Sequence, residues 1–567
     1  MSEVAYDVII VGGGTAGCVL AGRLSSQKDC RVLLIEAGED LPPGHEPAAI
    51  LDPYPSGYGD PRFSWPGLEA HLGNDHDGVR RPISRRFVQG RGIGGSSNIM
   101  GMMALRGSPA DYDEWHELGA RGWDWHGVLP YFCRLERDLD FSGPLHGSDG
   151  PMPIRRQARS DWAPFARAVA EAAEARGYSY FPDYHTHFGD GVSSVPMNNL
   201  PDRRVSTAMA YLDATVRRRP NLRIVANTTV DKIVFKGTQA TGVSVQGPSG
   251  TEVFAGREII LSAGAIYSPA ILLRSGIGAA AALRKLGIQP VLDRPGVGEN
   301  LLNHVVVQIA THLPRHAIQS ADVRAWAFSI VRYSSKVPGC PAGDMHMVPT
   351  NKTSWHPLGR RIGALTTGVR KPLSRGSVTL ESADSLVNPT IRFNLLSDQR
   401  DLTRLVRGVA FACEILIDPR VAANRNDVFI PDIEIAARLN RPGWRQWLES
   451  SLIAQVLDIS PKLRRRLLGP SRIEPADLLR DEPALRDLVL NAASPVHHVC
   501  GTCRMGAAND PMAVVDPECR VIGATQLRVS DASIMPTIVS ANTHLPVVMI
   551  GEKVASMMKD AEARQTI

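Results

Sequence analysis

The densest group of reactive side chains in this sequence lies in "PVHHVCGTCRMG", residues 495–506. It places His497 and His498 just ahead of Cys500 and Cys503, a set that could form a zinc site, a thiol redox pair or a general base. A zinc ion needs about four converging ligands, whereas adjacent residues of an extended segment point to opposite faces. We therefore expect the two histidines not to share a metal, and we predict no metal site.

Proton transfer is the chemistry that fits this stretch best. A reactive thiol needs a helix N-terminus or a nearby cation to lower its pKa, and the residues around Cys500 and Cys503 are typical of a strand and a turn. Buried, unreactive thiols are therefore the favoured interpretation. The pKa of histidine lies close to working pH, which suits a general base. A histidine that only packs in the core is the alternative.

The N-terminal segment has the pattern of a dinucleotide-binding unit. "YDVIIVGGGTAG" predicts a buried strand that runs into a helix, with Gly12, Gly14 and Gly17 at the turn between them. Glu36 ends a second apolar strand 19 residues after Gly17, a spacing typical of a ribose-binding carboxylate. Glycines here let the backbone approach a pyrophosphate at the helix N-terminus. The motif does not separate FAD from NAD, and a glycine-rich turn without a ligand is the alternative.

Composition indicates a large globular protein. A chain of 567 residues is too long for one hydrophobic core, so we expect at least two domains. A net charge of +5 is too small to indicate a nucleic-acid-binding surface. The N-terminus has no signal-peptide pattern, and no apolar run is long enough to span a membrane. Eight cysteines are too sparse for a disulfide framework, so we predict a cytoplasmic protein.

A second glycine-rich segment, "GRGIGGSS" at residues 90–97, indicates a backbone that passes close to a flat or anionic ligand. Such motifs stop near residue 305 and resume near residue 494, which predicts a first domain interrupted by a second. The predicted segments are residues 1–160, 201–304 and 491–567 for the cofactor-binding domain, and residues 161–200 and 305–490 for the substrate-binding domain.

Together these motifs resemble the glucose–methanol–choline (GMC) family of flavoprotein oxidoreductases along essentially the whole chain. "GAIYSPAILLRSGIG", residues 264–278, matches the second signature of the family, and "GRGIGGSS" matches the core of the first. "VGENL", "HVCGTCRMG" and "VSDASIMPTIVSANTHLP" are also similar to family blocks. The segments around residues 123–132 and 149–156 look most similar to hydroxymethylfurfural-type and aryl-alcohol oxidases, and the chain also resembles members of the choline dehydrogenase type.

The resemblance implies a fold of class α/β and α+β: a discontinuous Rossmann-like FAD-binding domain and a second, antiparallel-sheet substrate-binding domain. It implies that FAD is the cofactor. By family likeness, Glu36 holds the adenosine ribose, the Val230 backbone meets the adenine, and Asp531 lies at the ribityl and pyrophosphate end. The full set of implied cofactor-binding residues is Gly12, Gly14, Thr15, Ala16, Gly17, Glu36, Ala37, Arg91, Gly94, Gly95, Ser96, Ser97, Val230, Ala263, Asp531, Ala532, Asn542 and Thr543.

The same resemblance assigns catalytic roles. Alcohol oxidation by a flavin needs removal of the hydroxyl proton and transfer of a hydride from carbon to flavin N5. His498, three residues before the glycine of the "GTC" block, corresponds to the base, and Asn542, 44 residues later, to the group that binds the substrate oxygen. One departure is Met100, where many members carry Asn or His. Weaker candidates for the substrate pocket are Met102, Met103, His497 and His544.

We therefore expect FAD-dependent oxidation of a primary alcohol, aromatic or furanic, with oxygen or a quinone as acceptor and no nucleic-acid partner. The alternatives are a choline or aliphatic-alcohol dehydrogenase, and a non-redox or light-driven member of the hydroxynitrile lyase or fatty acid photodecarboxylase type. Residues 444–469 combine two tryptophans with a basic cluster. We favour a solvated basic face there over a membrane-binding segment. The oligomeric state is not predicted.

Overall fold

Two large sheets organise the protein, for which a computed structural model describes residues 6–73, 75–76, 79–80, 84–247 and 250–565. The first sheet has seven strands and the second has nine. The chain passes back and forth between them, so each sheet is assembled from segments that are distant in sequence. This mixed architecture confirms the fold class predicted from the sequence, while the domain boundaries stay predictions.

The strands, in chain order, are β1 (Tyr6–Val11), β2 (Val32–Ile35), β3 (Glu69–His71), β4 (Asp75–His76), β5 (Val79–Arg80), β6 (Ser84–Arg86), β7 (Glu136–Asp138), β8 (Met152–Ile154), β9 (Tyr180–Phe181), β10 (Gly191–Ser194), β11 (Leu222–Val225), β12 (Thr229–Lys236), β13 (Gln239–Gly247), β14 (Gly250–Leu261), β15 (Ile277–Gly278), β16 (Leu292–Asp293), β17 (Val305–His312), β18 (Ser329–Tyr333), β19 (Met345–Thr350), β20 (Ile362–Val369), β21 (Ser377–Thr379), β22 (Thr390–Arg392), β23 (Val428–Phe429), β24 (Arg472–Ile473), β25 (Ser494–Pro495) and β26 (Leu527–Val529).

The helices, in chain order, are α1 (Thr15–Leu24), α2 (Ala48–Leu51), α3 (Pro109–Glu117), α4 (Trp125–Leu135), α5 (Pro164–Glu174), α6 (Thr207–Tyr211), α7 (Ala214–Arg217), α8 (Gly264–Arg274), α9 (Ala280–Lys285), α10 (Gln399–Ile417), α11 (Pro419–Ala422), α12 (Ile433–Leu439), α13 (Trp444–Ile459), α14 (Pro461–Leu468), α15 (Pro475–Leu478), α16 (Glu482–Ala492) and α17 (His544–Gln565).

The first sheet has the order β11-β2-β1-β14-β13-β12, with β26 also paired to β14. The pairs β11–β2, β2–β1, β1–β14 and β14–β26 are parallel, whereas β14 pairs with β13 and β13 with β12 in antiparallel orientation. The short, apolar strands β1 and β2 are typical of parallel strands with both faces covered. Helix α1 follows β1 directly and packs against α17 at the end of the chain. The predicted strand–turn–helix unit is therefore present, and the last segment of the chain completes it.

The second sheet has the order β24-β23-β17-β20-β19-β18-β10-β9, with β25 also paired to β17. Its pairs are antiparallel apart from β9 with β10. Because successive side chains of a strand point to opposite faces, His346, Val348 and Thr350 of β19 share one face. That face is turned towards the cavity described below.

The helix pair α13 and α14 presents an apolar stripe to solvent. Pro461 begins α14 and separates it from α13. Most of the exposed apolar side chains recur at spacings of three, four or seven residues; they are Trp444, Trp447, Leu448, Leu452, Ile459, Leu463 and Leu467. Among the helices of the described residues, none has both the length and the apolar composition to cross a membrane.

A buried group of ionisable side chains packs beside β7 and β8. His146 lies between two carboxylates, with Nδ1 3.0 Å from Asp138 Oδ2 and Nε2 2.9 Å from Asp183 Oδ2. Arg156 pairs with Asp138 at 2.7 Å. Although burial opposes the charged form, the bonds to Asp138 and Asp183 raise the pKa of His146 to about 11.

The ligand atoms of Glu136, Asp138, His146 and His185 lie within 4.8 Å of one another, a spacing that a metal ion could use. Arg106 pairs with Glu136, however, and Arg156 pairs with Asp138, so positive charge is already supplied to this group. We interpret it as a structural ion network.

The His146 network predicts a pH-dependent stability. The folded-state pKa of His146 lies above its unfolded value, so its stabilising effect is complete below about pH 6.5 and is lost as pH rises towards 11. We expect the melting temperature of His146→Gln to fall furthest below that of wild type near pH 6, and the gap to narrow by pH 9. Thermal unfolding followed by circular dichroism measures both. His126→Gln, at an exposed position, is the control, and the same narrowing there would contradict the explanation.

Candidate active site

A cavity of about 400 Å³ lies between the two sheets and is lined by residues of both. One wall comes from the β1–α1 turn, the segment around residues 90–103 and the start of α8. The opposite wall comes from the exposed face of β17, β18, β19 and β20. Two late segments, residues 496–499 and 541–544, close the space between these walls. The cavity therefore brings together the two glycine-rich segments, Glu36, and the segments that contain His498 and Asn542.

Glycines let the backbone reach the cavity at the β1–α1 turn. A Cβ atom on Gly17 would lie 1.9 Å from the carbonyl oxygen of Gly12, so only glycine permits α1 to pack this closely on the turn. A Cβ atom on Gly95 would lie 2.8 Å from Gly14 Cα, so the second glycine-rich segment touches the first. A Cβ atom on Gly14 would meet no protein atom closer than 3.9 Å, since that side of Gly14 faces the cavity.

Glu36 anchors the two glycine-rich segments to each other. Its Oε2 accepts the backbone N–H of Gly13 at 2.8 Å, and its Oε1 accepts those of Gly38 and Gly92 at 2.8 and 2.9 Å. Each carboxylate oxygen can accept more than one hydrogen bond, so Glu36 keeps capacity for a ligand hydroxyl on the cavity side. Glu36 and Ala37 both line the cavity.

Asp531 links two segments in the C-terminal part of the site, as Glu36 links the two glycine-rich segments. Its Oδ2 accepts hydrogen bonds from the Gly264 backbone at 2.9 Å and from Ser268 Oγ at 2.6 Å. Burial raises the pKa of Asp531 despite these hydrogen bonds. Asp531 thus joins the start of α8 to the segment after β26, and it lines the cavity beside Ala263 and Ala532.

The structure brings most of the predicted cofactor-binding residues to this one cavity. Gly17, Gly94 and Arg91 are not among its lining residues: Gly17 and Gly94 shape the two turns, and Arg91 Nη2 donates to the Ala37 carbonyl at 2.7 Å. The predicted residues that line the cavity are Gly12, Gly14, Thr15, Ala16, Glu36, Ala37, Gly95, Ser96, Ser97, Val230, Ala263, Asp531, Ala532, Asn542 and Thr543. Their individual roles stay predictions.

The two histidines of the opening motif point to different surroundings. His497 Nε2 lies 2.9 Å from Tyr58 Oη, and the His497 ring packs against Phe87, so it belongs to an aromatic cluster at the edge of the cavity. Burial lowers the pKa of His497 to about 4. Cys500 and Cys503 are buried free thiols, and burial raises the pKa of Cys500 to about 12. Burial and the raised pKa favour unreactive thiols, and this stays a prediction from the sequence.

His498 is held by a second imidazole that the sequence analysis did not identify. Residues 494–500 run antiparallel to residues 302–306, which sets His498 Nδ1 2.8 Å from His304 Nδ1. His304 Nε2 lies 3.1 Å from the Val539 carbonyl, which can only accept, so His304 carries its proton on Nε2. His304 Nδ1 is then an acceptor, and His498 must donate from Nδ1. The lone pair of His498 is consequently on Nε2.

Both imidazoles are neutral in this environment. Burial, followed by the charges of His346 and Arg370, lowers the pKa of His304 to about 3. Burial, followed by the neighbouring His304 and His497, lowers the pKa of His498 well below its usual value. His498 therefore combines an available lone pair with a neutral ring, as a proton acceptor requires.

Asn542 lies in the same cavity, two residues before α17. Asn542 and Thr543 therefore precede the positive end of a 22-residue helix, which favours negative charge nearby. The weaker candidates Met102, Met103 and His544 also line the cavity, as does Met100. Burial, with the Arg204 charge adding to it, lowers the pKa of His544 to about 4.

The wall formed by the second sheet contains residues that sequence reasoning missed: His304, His346, Arg370 and Trp326. The spacing of His346, Val348 and Thr350 by two residues could have indicated one face of a strand. It could not have indicated which strand pairs with it. Trp326 is fixed by a 3.1 Å hydrogen bond from its indole N–H to the Gly101 carbonyl. It belongs to the apolar boundary of the space beside His498.

The part of the cavity formed by the β1–α1 turn and Glu36 fits the adenine dinucleotide part of FAD. Helix α1 begins without a side-chain cap and without an acidic residue in its first turn, so its free N–H groups and positive dipole end are open to a pyrophosphate. Gly14 leaves room for that approach. Glu36 supplies an acceptor near the end of β2, where a ribose hydroxyl binds in such folds.

Comparison with known proteins agrees with this arrangement. Sequence profiles of GMC oxidoreductases match residues 6–306 and 372–551. The chain is 40% identical to 5-(hydroxymethyl)furfural oxidase of Methylovorus sp. (strain MP688), over 98% of this chain and 99% of that protein. It is 32% identical to oxygen-dependent choline dehydrogenase of Vibrio vulnificus (strain YJ016), over 98% and 94%. The solved structure of pyridoxine 4-oxidase from Mesorbium loti superposes with a TM-score of 0.80 at 28% identity, covering 98% and 99%.

The glycine geometry predicts two different defects. Gly14→Ala has space within the protein but places a methyl group in the cavity, so we expect a folded protein that retains much less FAD. Gly17→Ala collides with the Gly12 carbonyl, so we expect reduced soluble yield and a lower melting temperature. The absorbance ratio of flavin to protein and circular dichroism separate the two. Full FAD content in Gly14→Ala would contradict the pyrophosphate placement.

Proposed function

The chain belongs to the GMC oxidoreductase family and is an FAD-dependent alcohol oxidoreductase, and we propose that it oxidises a furanic or aromatic primary alcohol to the aldehyde with His498 as base. The observation that carries the role of His498 is its hydrogen bond to His304, which leaves the Nε2 lone pair free. The relatives named above are oxidases and dehydrogenases, which favours this reaction over the lyase and light-driven alternatives.

His498 removes the hydroxyl proton of the substrate. Its Nε2 accepts that proton while Nδ1–H stays bonded to His304, so the ring cannot turn its protonated nitrogen towards the substrate. The backbone N–H of His498 also donates to Asn303 Oδ1 at 3.1 Å, which fixes the residue at a second point. A positioned base of this kind typically contributes about 10²- to 10⁴-fold to a rate.

Asn542 donates from its side-chain amide to the substrate oxygen. That oxygen gains negative charge as the proton leaves, and both the amide and the N-terminus of α17 stabilise it. When bound, FAD accepts the hydride from the substrate carbon. The protein contributes by holding the hydroxyl between His498 and Asn542 and by excluding water from a largely apolar cavity.

The apolar part of the cavity lining supports a flat substrate. Trp326, Met103, Ile330 and Val348 are among the apolar side chains that line the cavity. The relative at 40% identity is named for a furan alcohol, and choline dehydrogenases are more distant at 32%. We therefore place furanic and aromatic alcohols ahead of choline. An acceptor such as oxygen follows from these relatives, and we propose oxygen itself because the more similar protein is an oxidase.

Replacement of His498 tests the base. We expect His498→Ala to retain FAD but to be bleached by hydroxymethylfurfural or an aryl alcohol at least 100-fold more slowly than wild type, measured anaerobically in a stopped-flow instrument. His497→Ala is the matched control at the adjacent position, and we expect a much smaller effect there. Wild-type bleaching rates in His498→Ala would refute the assignment. Rapid recovery of the yellow colour of wild type in air identifies an oxidase; persistent bleaching points to another acceptor.

The buried state of His498 predicts the pH dependence. A base acts only when neutral, so activity falls where pH drops below its pKa. Because burial and the neighbouring His304 lower the pKa of His498, we expect kcat/KM to be flat from about pH 6.5 to 8 and to decline only at lower pH. Steady-state measurements with a non-ionising alcohol check this. An inflection above pH 6.5 that disappears in His498→Gln would contradict a depressed pKa.

A further inference from the structure

Arg370 is a buried cation on the wall of the cavity, and the proposed chemistry does not use it. It directly follows β20 and is 2% exposed. Its backbone N–H donates to the Asp344 carbonyl at 2.8 Å, and its Nη1 donates to Tyr184 Oη at 2.6 Å. Its Nη2 is buried without a hydrogen-bond partner. A guanidinium is always charged in proteins, so this side chain holds a full positive charge inside the fold.

No carboxylate within the described part of the chain forms an ion pair with Arg370. The acid opposite it in the sheet, Asp344, is paired with Arg404 at 3.2 Å and with Ser335. Tyr184, which does contact Arg370, is a neutral hydroxyl partner. Buried charges are ordinarily paired or bind a ligand of opposite charge, because an uncompensated buried charge is strongly unfavourable.

A second buried arginine, Arg332, adds positive charge near Arg370. Arg332 of β18 stacks over the Tyr184 ring with its Cζ 4.4 Å from the ring centre, and Arg370 Cζ lies 5.8 Å from the same centre. Arg332 likewise forms no ion pair among the residues that the structure describes, and its Nη2 donates to the His187 carbonyl. Burial lowers the pKa of Arg332, and the charge of Arg370 adds to this effect. The two guanidiniums therefore create a positive field on this side of the cavity.

The positive charge of Arg370 also lowers the pKa values of the neighbouring imidazoles. Burial, followed by the Arg370 charge and then His498, lowers the pKa of His346 to about 3. Arg370 also contributes to the low pKa of His304. Because these imidazoles are neutral, they do not add positive charge, and they supply no negative charge to balance Arg370. Arg370, on the cavity wall, thus keeps its positive charge without an ion-paired carboxylate among the described residues, and the acids that act on Arg332, Asp190 and Asp111, form no ion pair with it there.

Three residues form a row beside Arg370 on the cavity face of the second sheet. Val306, Gly368 and His346 are opposite one another on three adjacent strands, in the order β17, β20 and β19. A Cβ atom on Gly368 would come 2.6 Å from Val306 Cγ1 and 3.2 Å from His346 Cε1. The side chains of Val306 and His346 therefore meet above Gly368, which itself has no side chain. Arg370 follows Gly368 by two residues and therefore lies on the same face.

We propose that Arg370 binds an anionic group, a carboxylate, on the substrate, so that the preferred alcohols are aromatic or furanic hydroxymethyl carboxylates. This inference rests on the proposed function, because it specifies the part of the substrate remote from the reacting hydroxyl. The carboxylate supplies the missing counter-charge to Arg370. The ring lies along the Val306–Gly368–His346 row, and the hydroxymethyl group points to His498. The product is then an aldehyde that still carries its carboxylate.

The first test uses wild-type holoenzyme and a matched pair of substrates, 4-(hydroxymethyl)benzoate and its methyl ester. We expect kcat/KM for the acid to exceed that for the ester, and we expect the preference to weaken with added salt. In Arg370→Met the ratio of acid to ester should fall about 10- to 100-fold, as loss of a charge-assisted hydrogen bond implies. Arg370→Lys, which keeps the charge, should retain part of the preference.

A binding measurement separates this inference from the proposed function. Benzoate added to oxidised holoenzyme should perturb the visible flavin spectrum at lower concentration than benzamide, and Arg370→Met should abolish the difference. If neither alcohol reduces the flavin but benzoate still binds through Arg370, the alcohol assignment fails and the anion site stands. The proposal would be overturned if Arg370→Met lowered kcat/KM equally for the acid and the ester. It would also be overturned if wild type bound benzoate and benzamide equally well. Loss of FAD from Arg370→Met would also overturn it, since the cofactor would then be the counter-ion.

Discussion

The hydrogen bond between His304 and His498 is the interaction on which the chemistry of this cavity depends. Two buried imidazoles can share one hydrogen bond only if one donates and the other accepts, and the Val539 carbonyl decides which. The Val539 carbonyl, which binds the other ring nitrogen of His304, therefore determines which nitrogen of His498 carries the proton. This bond also joins the start of the second sheet to the segment that follows β25, so the base has its place only when that sheet has formed.

Local motifs made much of the site predictable. Gly12, Gly14 and Glu36 lie on a strand, turn and strand that follow one another in sequence, so their geometry is encoded over a short stretch. Asp531 and the His498 position were assigned by likeness to family blocks, and the structure brings both to the same cavity. The strand–turn–helix unit of the first sheet was predictable for the same reason, because β1 and β2 are short and apolar and are followed by glycine-containing turns. The antiparallel second sheet was predicted only from the family resemblance.

The substrate side could not be predicted in this way. Arg370 and His346 share one face only because β19 and β20 pair in one particular register, and a shift of one residue in either strand would turn its side chain to the other face. His304 was not identified from the sequence, and its partner lies 194 residues further along the chain. Pairings over such distances depend on tertiary packing, which single-sequence patterns do not encode. Specificity therefore resides in the part of the protein that sequence reasoning describes least.

The position of β26 has a consequence for how the protein is made. This strand, which inserts beside β14, and the residues from Asp531 to Thr543 lie far along the chain from the β1–α1 turn and are synthesised long after it. Contacts between such distant segments form slowly, because a long loop must close before they contribute stability. The phosphate-binding turn is therefore made well before the segment that completes its site. A chain that stops short of β26 has a binding turn but no closed site.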